Sequence, residues 1–197
     1  MMKTRVKICK GMFDFEGERK AHLWNFAPQW PGHPKAFSPE DLQAKIRRAY
    51  DLTGTGGFLI LWMPATQLHR TPFDPLDMTA PWTAMSTIIS GTSPISIGFV
   101  YGKGFQRAAD WGCKLILDTQ GRAGPSSSLT VKWVLERLCV HGGPVFDPYA
   151  DRSAQLAQWC RRLGIGYRGH IRGKKNREAA RKTLAQIELP GIQTTLL

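Results

Sequence analysis

Residues 145–171 read VFDPYADRSAQLAQWCRRLGIGYRGHI, and this stretch decides the fold class. Its apolar spacing predicts a short strand at 144–146 that ends at Asp147-Pro148, a helix at 152–163 and a second strand at 167–171. A strand, a helix and a strand in this order predict two parallel strands joined by a crossover helix. We therefore predict an α/β protein with a mostly parallel sheet.

The chain on either side of this stretch has the same alternation. Ser38 is a favourable N-cap and Pro39 suits a first turn, so a helix is predicted to begin there. The run FLILWM at 58–63 predicts a strand that is buried on both faces. The other predicted elements are strands at 21–26, 95–101 and 114–117, helices at 38–51, 129–140 and 175–189, a short helix near 82–90, and loops at 54–57, 65–83 and 121–127.

Length and composition indicate a single globular domain. The chain has 197 residues, of which 42% are hydrophobic, enough for one packed core. We predict an N-terminal extension at 1–20, a domain at 21–189 and a C-terminal tail at 190–197. Neither a signal peptide nor a membrane-spanning run is recognised, and four scattered cysteines indicate reduced thiols in a cytoplasmic protein. The five histidines form no ligand pairs, so no metal site is predicted.

Positive charge is concentrated towards the C-terminus. The formal net charge is +12, which favours a polyanionic partner, most often nucleic acid. Residues 161–182 hold nine Lys or Arg and one acid, Glu178, and so carry +8. A solvated surface helix is the alternative, although such a helix usually alternates its charge signs. The residues predicted to contact nucleic acid are Arg161, Arg162, Arg172, Lys174, Lys175, Arg177, Arg181 and Lys182.

Four segments, in their order, resemble the permuted S-adenosylmethionine-dependent adenine methyltransferases of DNA and messenger RNA. The sequence from Asp147 is similar to the D-P-F-x-G-S-G-T that ends a strand in that family, and 167–171 is similar to its next strand, Y-I-G-I-E. TVKWVLERL at 130–138 resembles T-x-K-P-x-x-L-x-E-R-L, and GGFLILW at 56–62 resembles G-G-x-L-x-x-W. The resemblance covers roughly 21–188.

This resemblance implies a Rossmann-like methyltransferase fold with a circularly permuted motif order and helices on both faces of the sheet. With the right-handed crossover rule, it predicts that the strand at 58–63 lies near the strand at 22–26, with 144–146 central beside it. It also implies where the functional positions lie. The cofactor position comprises Asp147, Pro148, Tyr149, Ala150, Asp151, Ser153 and Lys132, and the catalytic tetrapeptide D/N-P-P-Y/F/W corresponds to Ala27, Pro28, Gln29 and Trp30.

Three departures from the family pattern predict that catalysis is lost. Asp151 and Ser153 replace two glycines that let the backbone approach the cofactor closely. Ile171 replaces an acid that binds the ribose hydroxyls. Ala27 replaces the residue whose side chain accepts a hydrogen bond from the target amine, although Trp30 could still stack on a base.

We therefore expect a catalytically degenerate, methyltransferase-like protein that binds DNA or RNA. S-adenosylmethionine is expected as cofactor if the chain is active, and otherwise none. Because messenger-RNA enzymes pair an active subunit with an inactive basic homologue, the resemblance also implies a heterodimer with an active subunit, and no membrane partner. Two alternatives stay open: an active adenine-N6 methyltransferase with a divergent cofactor loop, and a non-enzymatic assembly protein on the same scaffold.

Overall fold

The computed structural model describes residues 6–9, 20–28, 38–67, 81–91, 95–105, 113–116, 127–139, 143–150 and 153–187. These residues form an eight-stranded sheet with α-helices against both faces. The strands are β1 (Val6–Cys9), β2 (Ala21–Phe26), β3 (Thr53–Pro64), β4 (Thr83–Ser90), β5 (Ser96–Gly102), β6 (Cys113–Ile116), β7 (Val145–Ala150) and β8 (Tyr167–Ile171). The helices are α1 (Pro39–Asp51), α2 (Ser128–Leu138), α3 (Gln155–Arg162) and α4 (Lys174–Ala185), and Ala65–Gln67 is a 3-10 turn.

The strand order across the sheet is β1-β8-β7-β2-β3-β5-β4-β6. The first five strands of that order pair in parallel, β5 is antiparallel to both of its neighbours, and β6 is parallel to β4. At the centre, Leu23 on β2 is in register with Phe58 on β3 and with Val145 on β7. The predicted placement of 58–63 and 144–146 beside 22–26 is therefore confirmed.

The helices divide between the two faces of the sheet. Ile46 of α1 is fully buried with Trp24 and Leu61 on one face. Apolar residues of α2, α3 and α4 are buried on the opposite face, where they share a core with Val145 and Tyr167. The apolar stripe of each helix thus covers one side of a sheet whose central strands are buried on both faces, as the sequence predicted.

Both ends of α1 are fixed by side chains. The Ser38 hydroxyl accepts a hydrogen bond from the Asp41 backbone N–H at 3.1 Å, which confirms the predicted N-cap. Beyond the other end, the ammonium of Lys103 donates to the carbonyls of Tyr50 at 2.6 Å and Thr53 at 2.9 Å. Since a helix leaves its last carbonyls unpaired, this cation is well placed to stabilise the C-terminus of α1.

The path of the chain changes direction between β7 and β2. From β7 the chain continues through α3, which packs on one face, whereas from β2 it continues through α1, which packs on the other. β7 and β2 are nevertheless adjacent strands. In α/β sheets, ligands bind in the crevice at the carboxyl ends of two strands whose crossovers diverge in this way. The carboxyl edge of β7 and β2 is therefore the candidate site.

Two predictions of local structure are wrong. The segment 82–90, predicted as a short helix, contains β4, because its β-branched residues favour an extended backbone and β5 supplies a pairing partner along its length. The glycines at 54–57, predicted as a loop, lie inside β3. Gly57 has no room for a side chain there, since a Cβ atom would approach the His22 carbonyl to 3.0 Å.

Two boundaries also differ from the prediction. The strand predicted to end at 146 continues as β7 to Ala150, and its register with β8 shifts between Asp147 and Ala150. Pro148 lies in that irregularity, where the missing N–H of a proline is tolerated. Val6–Cys9, within the predicted extension 1–20, forms the edge strand β1 beside β8. The predicted loops at 65–83 and 121–127 lie mostly outside the described residues.

Candidate functional site

Aromatic rings connect the two strand ends that form the candidate site. Phe26 ends β2, Tyr149 lies near the end of β7, and their ring centroids are 5.4 Å apart. Trp24 and Phe146, one pleat earlier, pack edge to face at 5.0 Å. Burial raises the pKa of the Tyr149 phenol above its ordinary value, so this hydroxyl stays neutral well into the alkaline range. This edge of the sheet is therefore packed with aromatic rings and largely apolar on the face shared by β2 and β7.

Asp147 is the buried acid of the site. Its side chain is only 3% exposed, and the Tyr167 hydroxyl donates a hydrogen bond to its Oδ2 atom at 3.0 Å. The two residues lie on neighbouring strands, where Asp147 is in register with Gly169. Gly169 leaves the space that the Tyr167 ring occupies, because a Cβ atom at this position would come within 2.6 Å of the ring. The glycine thus makes the bond to Asp147 possible.

We expect Tyr167→Phe to lower the free energy of unfolding by about 1–3 kcal/mol, because it removes a donor from a buried carboxylate. Urea unfolding followed by circular dichroism measures the change. Tyr50→Phe is the matched control, since the Tyr50 hydroxyl makes no hydrogen bond to the described part of the chain. Equal stability of the Tyr167→Phe variant and the parent would contradict the role assigned to this bond.

The turn after β7 contains an unusual backbone conformation. Ala154, which precedes α3, has φ 51 and ψ 33 in the left-handed region, although it carries a Cβ atom. This conformation costs roughly 1–2 kcal/mol for a residue other than glycine. Ser153 is half-buried, and its carbonyl accepts a hydrogen bond from the Gln158 side chain at 2.7 Å. Asp151 lies outside the described residues.

At the end of β8, two main-chain carbonyls accept hydrogen bonds from side chains of α4. Ile171 is 1% exposed and packs in the core beneath α4, so its side chain faces away from the crevice. Its carbonyl accepts a bond from Arg177 Nη1 at 3.3 Å, and the Arg172 carbonyl accepts one from Asn176 Nδ2 at 3.0 Å. The groups that remain exposed there include the cationic side chains of Arg172 and Lys174.

Solved structures match this arrangement, whereas no family model and no curated protein matches the sequence. TTHA0409 of Thermus thermophilus, a proposed DNA modification methylase, was solved with S-adenosyl-L-methionine. It is 14% identical, with a TM-score of 0.65 over 95% of this chain and 95% of its own. M1.HpyAVI, in complex with SAM, is 14% identical, with a TM-score of 0.63 over 91% of this chain and 98% of its own. The chain has a methyltransferase fold.

The residues of this methyltransferase fold do not suit S-adenosylmethionine at two positions. The resemblance to the adenine methyltransferases expects a ribose acceptor at the end of β8, where Ile171 instead has an apolar, buried side chain and an occupied carbonyl. It also expects two glycines in the turn after β7, where the sequence has Asp151 and Ser153. Asp147 remains in place but is already bonded to Tyr167.

The predicted catalytic tetrapeptide follows β2 at the same edge. Ala27 is half-buried and Pro28 is buried, while Gln29 and Trp30 lie outside the described residues. The carboxamide of Asn25, two residues earlier, accepts a bond from Trp62 Nε1 at 2.8 Å and is buried in the core. Of the tetrapeptide, the described residues therefore offer the crevice no side-chain acceptor.

The other predicted site residues are dispersed. Pro148, Tyr149 and Ala150 lie in the last half of β7, at the candidate site. Lys132 lies on α2, where its half-exposed ammonium is 3.8 Å from the Glu136 carboxylate. The structure thus brings together the predicted residues of β2 and β7 and gives Lys132 a partner on its own helix.

The eight predicted nucleic-acid contacts lie on α3, on α4 and in the two-residue connection between β8 and α4. Three of them bond to the main chain: Arg161 to the Ile187 carbonyl at 2.9 Å, Arg177 to Ile171, and Arg181 to the Ile8 carbonyl at 3.0 Å. The guanidinium of Arg162 lies over the Trp159 ring at 5.4 Å. The remaining four, Arg172, Lys174, Lys175 and Lys182, are exposed.

Sequence reasoning missed the side chains that close the end of β8. Asn176 and Arg177 occupy ordinary surface positions of a basic helix in the sequence, and the turn of the chain from β8 into α4 brings their side chains to the two carbonyls. Among the described residues, no group of three or more His, Cys, Asp or Glu is arranged to hold a metal ion. Of the helices described, none combines the length and apolar character needed to cross a membrane.

Proposed function

We propose that this chain is a cytoplasmic, methyltransferase-like protein that binds nucleic acid and does not catalyse methyl transfer from S-adenosylmethionine. The observation that carries the proposal is the end of β8. There a buried Ile171 occupies the position of the ribose acceptor, and the exposed groups beside it include cations. An edge with this chemistry suits phosphate groups better than it suits ribose hydroxyls.

The net charge supports a nucleic-acid partner. The chain carries +12 overall, and eight of these charges come from residues 161–182. The structural neighbours include a proposed DNA modification methylase, which makes DNA one reasonable ligand to test first. We further propose that the chain acts as the non-catalytic subunit of an adenine-N6 methyltransferase complex, in which an active partner binds the cofactor.

One observation favours a second candidate function, an active adenine-N6 methyltransferase with a divergent cofactor loop. Asp147-Pro148 is retained at the carboxyl end of β7, and Asp147 is the buried acid of the crevice. Incubation of the isolated chain with isotopically labelled S-adenosylmethionine and unmethylated DNA or RNA tests this function. Transfer of label to adenine would establish it and would overturn the degenerate assignment.

Nucleic-acid binding is tested by fluorescence anisotropy with a labelled DNA duplex and with RNA, each at several salt concentrations. We expect affinity to fall steeply with salt, because each neutralised phosphate adds about −0.9 to the log–log slope on duplex DNA. A chain that binds neither nucleic acid, even at the lowest salt concentration, would contradict the proposal. That result would favour the third reading, an assembly protein that contacts an acidic protein partner.

A further inference from the structure

The basic residues of α3 and α4 differ in whether the fold uses them. Arg161, Arg177 and Arg181 each donate to a main-chain carbonyl. The bonds of Arg161 and Arg181 connect distant parts of the chain, and the bond of Arg177 joins α4 to the end of β8. Removing any of the three would leave a partly buried acceptor without its donor. These three arginines therefore have a structural role, and their presence on α3 or α4 needs no ligand to explain it.

Four cations have no such role. Arg172, Lys174, Lys175 and Lys182 are exposed, and none of their side chains makes a hydrogen bond or an ion pair with the described residues. Glu178 lies between them on α4, at i, i+4 spacing from Lys174 and from Lys182, yet in this part of the chain it pairs with neither. We call these four basic residues the α4 strip.

Two of the four residues in the α4 strip work against the stability of their own helix, whereas Lys182 lies in the last turn, where a cation is favourable. Lys174 and Lys175 lie in the first turn of α4, which contains no acidic residue and has no side-chain N-cap. Cations at this end of a helix are repelled by the helix dipole. Residues that destabilise their helix and whose side chains have no partner in the described chain are explained more readily by an external anion than by folding.

The position of the strip relates it to the candidate site. Arg172 directly follows β8, which is parallel to β7, so the strip begins at the same edge of the sheet as the crevice. From Lys174 to Lys182 the helix rises by about 12 Å. This length matches roughly three or four nucleotides of one DNA strand at about 3.4 Å each. The strip is therefore long enough to contact several successive phosphates.

We propose that the α4 strip contacts the phosphate backbone of the nucleic acid and that Arg161, Arg177 and Arg181 take no direct part in binding. The proposal rests on the proposed function and assigns its interface. Because phosphate contacts position a protein without reading sequence, the strip orients the strand relative to the crevice between β7 and β2. Base recognition, if present, lies elsewhere.

The test compares two variants with the same change in charge. The strip variant carries Arg172→Glu, Lys174→Glu and Lys175→Glu, and it leaves Arg177 unchanged because that side chain holds the Ile171 carbonyl. The control variant carries Arg47→Glu, Arg48→Glu and Arg137→Glu, three exposed positions on α1 and α2. Circular dichroism and thermal unfolding verify that both variants fold. Anisotropy with the labelled duplex at several salt concentrations then gives the affinity and its salt slope.

We expect the strip variant to bind at least roughly tenfold more weakly than the parent and its log–log salt slope to be shallower by about 2.7, for three phosphates. The control variant should keep the slope of the parent. An unchanged slope in the strip variant would overturn the proposal while the proposed function stands, and so would an equal loss in both variants. If the parent itself does not bind nucleic acid, the proposed function fails, and the interface assignment fails with it.

Discussion

S-adenosylmethionine titrated into the isolated chain is expected to give no heat of binding. The reason is the chemistry of the two strand ends that would surround it. Ile171 is apolar and buried where a ribose acceptor is required, its carbonyl is bonded to Arg177, and the turn after β7 carries side chains in place of glycines. Isothermal titration calorimetry measures this directly, with TTHA0409, which was solved with the cofactor, as the positive control.

Thermal unfolding gives an independent readout of the same prediction. A ligand at a hundred times its dissociation constant stabilises a folded protein by about 2.7 kcal/mol, which raises Tm by several degrees. We expect no such rise when S-adenosylmethionine is added to this chain. A dissociation constant in the micromolar range, or a rise in Tm that saturates with cofactor, would contradict the prediction and favour an active adenine-N6 methyltransferase.

Alkylation of Cys139 is expected to be at least about a thousandfold slower in the folded chain than in the denatured chain at pH 8, and alkylation of Cys160 is expected to be slowed in the same direction. Burial raises the pKa of the Cys139 thiol from an ordinary value near 9 to about 12, and burial also raises that of Cys160. Because the thiolate is the reactive form, a pKa of about 12 in place of 9 alone lowers the reactive fraction of Cys139 about a thousandfold. Burial of the sulfur atoms slows the reaction further.

Iodoacetamide labelling followed by mass spectrometry of individual peptides separates these thiols from the other cysteines. The denatured chain in guanidinium chloride is the control for intrinsic reactivity. Labelling of Cys139 in the folded chain at the denatured rate would contradict the predicted burial. The same shift makes stability depend on pH: the raised folded-state pKa gives a contribution that is complete below pH 9 and is lost as the pH rises towards 12.

Local sequence signals predicted the elements that depend on neighbouring residues. Ser38 and Pro39 gave the start of α1, and the apolar run of β2 gave both of its boundaries, because caps and buried runs act over a few residues. β4 was mistaken for a helix, since a short apolar segment has no decisive period and its strand conformation depends on β5. β1 was missed for the same reason, because its partner β8 lies at the far end of the chain.

For the candidate site too, the sequence predicted the positions of residues but not the contacts between their side chains. The resemblance placed Asp147 and Ile171 at the carboxyl ends of neighbouring strands; Ile171 is the last residue of β8, whereas Asp147 lies three residues before the end of β7. The hydrogen bond from Tyr167 to Asp147 depends on the space above Gly169. The bond from Arg177 to the Ile171 carbonyl depends on how α4 is placed after β8. Neither is encoded in a motif. Likewise, only the three-dimensional contacts distinguish Arg161, Arg177 and Arg181, which bond to main-chain carbonyls, from the residues of the α4 strip.

The pairing of β1 with β8 has a consequence for how the chain folds during synthesis. Val6 pairs with Tyr167, so after its synthesis β1 waits for a partner that is made roughly 160 residues later. At about 5–20 residues per second this interval is on the order of 10–30 s. The central strand β2 waits for β7 for roughly three quarters of that interval, although β3 reaches it early. Nascent chains therefore expose two unpaired strand edges for many seconds, a period in which a chaperone would suppress association between chains.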